Sequence, residues 1–318
     1  MELRHMPLEY LHNHEEFADL LRIVGAEMGI DPVLVEKDYW IMHCLHGLQQ
    51  MGMNFELKGG TSLSKGFKII NRFSEDIDIR IDPPEEPKVS TGRNHDKPAH
   101  IESRKGFYDW LADTIEIDGF VSIERDTAFD DAKYRSGGIR LNYTEVNGTK
   151  ADLKQGVLLE VGFDDVTPNI PQDISSWAYD YAVDKVRILD NRAKEVLCYN
   201  PGHTLVEKLQ TISTKFRKQQ ESGEFPVNFM RHYYDVYCLL HVTSVKDFIG
   251  SDEYKAHKVR RFRSENHDIT KNEAFMLSDP KTFAAYEKAY ETTRSLYYRD
   301  RPAFSEILDR IKAHADQL

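Results

Sequence analysis

The stretch from Lys58 to Asp78, KGGTSLSKGFKIINRFSEDID, carries the residue types that phosphate chemistry needs. Gly59 and Gly60 allow a backbone approach that a side chain would block. Thr61 and Ser62 then open a helix, whose free N–H groups and dipole favour an anion in the turn. Ser62 adds a hydroxyl and Lys65 a cation. Downstream, Asp76-Ile-Asp-Ile-Arg-Ile-Asp82 alternates polar and apolar residues, the pattern of a half-buried strand. Asp76 and Asp78 therefore share a face, with Cα atoms roughly 6.5–7 Å apart. Two carboxylates so placed suit one divalent ion or a pair about 3.5–4 Å apart. Oxygen ligands select Mg²⁺ or Mn²⁺ over zinc. Each part alone is ordinary: a Gly-Gly turn is commonly just a turn, and Asp-x-Asp commonly a solvated edge. Specificity lies in their conjunction. Neither a Walker A loop nor a Gly-x-Gly-x-x-Gly fingerprint after a strand occurs.

These residues need positioning elements. Glu15 to Met28 and Val33 to Met51 read as helices, the second opened by an Asp31 N-cap and Pro32. Phe55-Glu-Leu57 is a short strand. Leu63 to Ile70 is predicted helical. Pro83 to Pro98 reads as a mobile loop and Ile101 to Ile117 as a helix. Phe120 to Arg125, Gly138 to Val146 and Val157 to Phe163 read as strands, and Pro168 to Ala182 as irregular. From about Gly202 onward the pattern is helical: 203–220, 227–241, 252–263, 280–294 and 302–315. The chain thus divides into an α/β half, 1–200, and an all-helical half, 201–318.

Composition bounds the possibilities. The chain has 318 residues, 40% hydrophobic and 30% charged, with net charge −11. A disordered chain is excluded, and the acidic balance argues against a nucleic-acid coat protein. No apolar run is long enough for a membrane span, and no secretory leader is expected. The three cysteines, Cys44, Cys198 and Cys238, are far apart among apolar residues, which fits a reducing cytoplasm.

The Gly-Gly turn followed by Asp-x-Asp resembles the signature of polymerase-β-type nucleotidyltransferases, although residues 61–75 make a slightly long gap. Gly-Gly-Thr-Ser-Leu-Ser-Lys with Arg72-Phe-Ser-Glu-Asp-Ile-Asp78 looks more closely like the AbiEii/AbiGii toxin family. Val35-Glu-Lys-Asp-Tyr-Trp40, Thr204-Leu-Val-Glu-Lys-Leu209 and Arg231-His-Tyr-Tyr-Asp-Val-Tyr237 are similar to further motifs of that family. The resemblance runs from about 33 to 241; beyond, it is a generic helical tail.

It implies an α+β fold: a polymerase-β-type nucleotidyltransferase core with N-terminal helices and an all-helical C-terminal domain that contributes Lys208 and Asp235 to the cleft. Asp76 and Asp78 would be the metal-binding, catalytic carboxylates. Lys208 would contact nucleotide phosphates, with Asp235 taking part in catalysis or orienting it. Gly59, Gly60, Thr61, Ser62, Lys65, Arg72 and Ser74 would bind the nucleotide. The cofactor would be Mg²⁺ or Mn²⁺, with an NTP as donor. The implied acceptor is RNA, first the 3′ end of tRNA, with a protein hydroxyl second, and the implied partner is a cognate antitoxin. Rival readings are a nucleotide (GTP)-binding regulator without transfer and a housekeeping transferase.

Glu160, flanked by apolar residues, is either a third metal ligand or an outward strand glutamate. Asp152, Asp164 and Asp165 are weaker candidates. Arg231 and Asp235 share a helix face and would, taken alone, be a plain i,i+4 ion pair. The closest histidine pairs are His12 with His14 and His43 with His46; the second pair falls three apart on a helix but lacks a third ligand, and core or surface histidine is the reading. Five basic residues in 255–263, and Lys215, Arg217 and Lys218, are either solvated faces or contacts to an RNA backbone; the reading favours contact for 255–263.

Overall fold

The computed structural model describes residues 8–86, 88–149, 153–226, 228–262, 267–299 and 301–318. It divides into two units. One comprises residues up to Gly66 together with Ser74–Cys198; the other comprises Phe67–Phe73 and Tyr199–Leu318.

The first unit opens with α1 (Phe17–Met28) and α2 (Pro32–Gln50). Gly29 at φ 66° ends α1, a conformation that costs glycine little. The Asp31 carboxylate caps α2 by accepting from the Val33 N–H at 3.0 Å, and Pro32 sits in the first turn. The unit then forms a sheet of β1 (Phe55–Lys58), β2 (Asp76–Ile81), β3 (Phe120–Asp126), β4 (Ser136–Tyr143), β5 (Val157–Gly162), β6 (Asn169–Ile174) and β7 (Ala193–Tyr199). Strand order is β3-β4-β5-β2-β1-β7-β6. Strand β2 runs antiparallel to β1 and parallel to β5, so the sheet is mixed. Three further helical pieces are α3 (Gly59–Thr61), α4 (Pro98–Thr114) and α5 (Trp177–Ala182).

The core follows from the alternation. Ile77, Ile79 and Ile81 of β2 are buried, as are Leu57, Ile139, Leu141, Leu159 and Val161 on neighbouring strands. Each such side chain contributes about 1.5–3 kcal/mol of burial. The intervening Asp76, Asp78 and Arg80 remain partly exposed. Residues 88–97 form a loop that is gripped by two arginines. Arg104 donates to the carbonyls of Ser90 and His95, and Arg135 to those of Gly92 and Arg93.

The second unit is helical: α6 (Pro201–Ser222), α7 (Arg231–Leu239), α8 (Thr243–Phe248), α9 (Asp252–Phe262), α10 (Glu273–Met276), α11 (Pro280–Glu291) and α12 (Phe304–His314). Asn200 caps α6 and Gly223 ends it at φ 74°. Tyr233 and Tyr286, fully buried, and Phe229, Phe304 and Ile311 supply the core.

Two expectations need correction. Residues 168–182 are not irregular: they contain β6 and α5, which with β7 were missed because 169–174 and 193–199 lack clean alternation. The helix predicted over 63–70 stops early. A wide turn, Ser62–Gly66, follows α3, and the chain then leaves helical geometry, with Lys68 at φ 55°. Tertiary hydrogen bonds replace the helical ones there. The Asn71 N–H donates to the Tyr234 hydroxyl at 3.1 Å, the Phe73 N–H to the Leu296 carbonyl at 2.7 Å, and Tyr298 donates to the Ile70 carbonyl at 3.2 Å.

Candidate active site

The face of β2 that carries Asp76 and Asp78 is completed by its neighbours. In register, Asp78 lies opposite Lys58 of β1 and Glu160 of β5, while Asp76 lies opposite Leu158. The two-residue side-chain repeat then sets Asp76, Asp78 and Glu160 on one face. Glu160 is the partly exposed residue of β5, between buried apolar neighbours. Burial first, then the charges of Asp78 and Asp76, push its carboxyl up to about 8.

Gly59 stands at φ +73°, and a Cβ there would fall 2.1 Å from Asp78 Oδ2. The glycine thus makes room for a carboxylate of β2. Thr61 and Ser62 are fully buried. The Thr61 hydroxyl donates to the Asp76 carbonyl at 2.5 Å, which ties the turn to the carboxylate strand, and the Ser62 hydroxyl donates to the Gly59 carbonyl at 3.1 Å, within the turn itself. Lys65 reaches Asp38 at 2.8 Å and lies over the Trp177 ring. Gly60 is buried at the centre of α3, and Ser74 is half-buried ahead of β2.

The sequence reading singled out Val35–Trp40 as a motif but gave its three charges no role. Glu36, Lys37 and Asp38 are consecutive on α2 and all buried. Glu36 accepts from the Val146 and Asn147 N–H groups at 2.9 and 3.1 Å. Asp38 accepts from Lys65 and from the Trp177 N–H at 2.8 Å. Lys37 donates to the Lys154 carbonyl and lies 3.9 Å from Glu75. Burial pulls the Lys37 ammonium down to about 8, against Glu75 and Asp76, which favour its charge. The available signal was three charged residues in a row inside an apolar helix. Lys154 had no such signal, yet its ammonium lies 2.9 and 2.8 Å from the two Asp76 oxygens.

Among the described residues, no three His, Cys, Asp or Glu side chains form a ready-made metal cage. The donor set nonetheless fits a divalent cation: oxygen ligands on one sheet face, a glycine cradle at Asp78, and an ammonium already standing on Asp76. Asp152 lies outside the described residues. Asp165 is spent on its own loop, accepting from the Thr167 N–H and hydroxyl.

The second unit gathers Arg72, Lys208 and Asp235. Asp235 is fully buried on α7. Arg72 grips both its oxygens at 2.7 Å, and Lys208 of α6 reaches Oδ2 at 2.9 Å. Burial alone would raise the Asp235 carboxyl; Arg72 and then Lys208 overcome this and hold it well below the usual carboxylate range. Asp235 thus pairs with Arg72 and Lys208, where helix spacing had suggested Arg231. His232 lies 3.5 Å from Lys208 and is kept neutral by burial and that charge.

Other candidates have partners within their own surroundings. His43 meets the Asp118 carbonyl at 2.9 Å and Asn191 at 2.9 Å, and His46 the Arg192 carbonyl at 3.2 Å, so both are satisfied core histidines. On α9, Lys255 lies 3.8 Å from Asp252 and Arg261 3.6 Å from Glu207, Arg260 meets His257, and Lys258 donates to the Leu318 carbonyl. Arg263 lies outside the described residues. No helix among them is long and apolar enough to cross a membrane.

A family model described as "Nucleotidyl transferase AbiEii toxin, Type IV TA system" matches residues 44–310. The match takes in the glycine turn, all three strand carboxylates, Lys208 and Asp235. It begins after Val35–Trp40 and continues well past residue 241, into what had read as a generic tail. The comparison with curated proteins found no match. With the mixed sheet, the helical C-terminal region and a family match over most of its length, the chain belongs to the AbiEii nucleotidyl transferase toxins of type IV toxin–antitoxin systems.

Proposed function

We propose that this chain transfers a nucleoside monophosphate from an NTP to RNA, with the 3′ end of tRNA as first acceptor, in a reaction that needs Mg²⁺ or Mn²⁺. The observation that carries the reading is the Asp78–Glu160 pairing in adjacent strands, with Asp76 on the same face and Gly59 opening the space at Asp78. Asp76 and Asp78 are the ligands, with Glu160 as the third. A divalent ion bound there supplies Lewis acidity to the phosphoryl and acceptor oxygens.

The chain's own groups do the rest. The turn from Gly59 to Ser62 presents backbone to the donor phosphates. Lys208, oriented by Asp235, neutralises phosphate charge, and Arg72 stiffens that pair. Catalysis of this kind rests on positioning and charge stabilisation more than on covalent chemistry. Lys65 reaches the donor only by giving up Asp38, so its phosphate role is subordinate to its structural one. Family membership implies an antitoxin partner; the proposed setting is the cytoplasm.

The test is incubation of the purified chain with each α-labelled NTP and total RNA, with and without chelator, beside Asp78→Asn. Label should pass covalently to RNA from the intact, metal-replete chain only. Equal labelling by Asp78→Asn would remove the carboxylate assignment. Label held reversibly, with none on RNA, would favour the nucleotide-binding regulator, and label on protein a protein acceptor.

A further inference from the structure

We propose that Lys154 is the resident counter-ion of Asp76: its ammonium holds the carboxylate while no divalent ion is bound, and must be displaced for one to bind. This rests on the reading of Asp76 as a metal ligand and deepens it.

The arrangement is built in, where a surface lysine falling by chance on an acid would be loosely held. The Lys154 ammonium bridges both Asp76 oxygens at 2.9 and 2.8 Å. Its backbone is clamped on either side. The Lys154 N–H donates to Glu75 Oε2 at 2.9 Å, and its carbonyl accepts from the Lys37 ammonium. Lys37 and Glu75 are themselves a pair at 3.9 Å, each only 2% exposed. The Phe129 ring lies 4.6 Å from the ammonium and covers it. Glu75 thus fixes the backbone of the residue whose side chain neutralises the very next residue, Asp76.

The physical need is clear. Asp76, Asp78 and Glu160 crowd one sheet face, and like charges on adjacent strands repel. Lys58 stands opposite Asp78 in the register, and Lys154 meets Asp76 through its side chain. Two cations on the same carboxylate oxygens repel each other at close range, so an entering ion competes with the ammonium. The competition sets a threshold on metal occupancy, and Lys154 decides it without being a ligand.

The experiment follows Mn²⁺ binding to the chelator-stripped chain by the loss of the free-ion electron paramagnetic signal, with no NTP present. Lys154→Met keeps the stem and removes the charge; it should tighten Mn²⁺ about tenfold. Lys154→Arg should return affinity to within about threefold of the unaltered chain. In the unaltered chain, acylation of Lys154, read by mass spectrometry, should accelerate several-fold when Mn²⁺ saturates the site, which needs no variant to fold. Equal Mn²⁺ affinity in Lys154→Met, or acylation of Lys154 indifferent to Mn²⁺, overturns the proposal while leaving the carboxylate site standing. Absence of Mn²⁺ binding that Asp78→Asn can weaken, in any of these chains, sinks the carboxylate reading as well.

Discussion

At the scale of single residues, the acidic face depends on one missing side chain and one misplaced proton. Gly59 combines positive φ with contact against Asp78, so Gly59→Ala both strains the backbone and pushes the carboxylate aside. A loss of about 1–3 kcal/mol in stability, together with lost transfer, is expected; chemical denaturation and the labelling assay measure the two. Glu160 makes a prediction about pH. Its carboxyl is pushed from the ordinary 4.5 up to about 8, by burial first and by Asp78 and Asp76 next. The native state therefore holds that proton more tightly than the unfolded chain. The stability this contributes is complete below the ordinary value and is lost as pH rises through about 8. In chelated protein, the melting temperature should fall across that window, and Glu160→Gln, which fixes the neutral form, should flatten the fall. An unchanged slope would remove the crowding argument.

At the scale of elements, α2 is the scaffold of the site. Its three consecutive charges reach three separate segments: Glu36 the 146–147 turn, Lys37 the Lys154 backbone, and Asp38 both Lys65 and α5. Buried and hydrogen-bonded, they are costly to break, because each partner is then left unpaired. Asp38→Ala should cost about 3 kcal/mol in urea unfolding. Asp19→Ala, which removes an exposed pair with Arg22 on α1, should change the same measurement by less than about 0.5 kcal/mol. Equal costs would mean that α2 holds its neighbours by apolar packing alone.

For the molecule as a whole, two units each carry their own core and their own cluster of charge. In the helical unit, Asp235 neutralises Arg72 and Lys208 with no exposure to solvent. Asp235→Ala leaves two buried cations without their anion, at about 3–5 kcal/mol. Hydrogen exchange should then rise in 67–73 and 199–239 while the strands of the first unit keep their protection. This variant loses stability along with activity, so it reports on catalysis less cleanly than Asp78→Asn, whose carboxylate stands among like charges.

Local spacing was enough for the sequence to specify much of this protein. The two-residue alternation at 76–82 marked the carboxylate strand, Asp31 with Pro32 marked the start of α2, and the glycine turn beside Asp-x-Asp pointed to phosphate and metal chemistry. Such signals are legible because the backbone repeats of strand and helix act within a few residues. Tertiary structure alone decided the partnerships: Glu160 opposite Asp78, Lys154 on Asp76, Arg72 gripping Asp235, and the path of 67–73 away from a helix. Those choices depend on strand register and on which charges are buried together. Both are set by the packing of segments far apart in the chain, which no local repeat encodes.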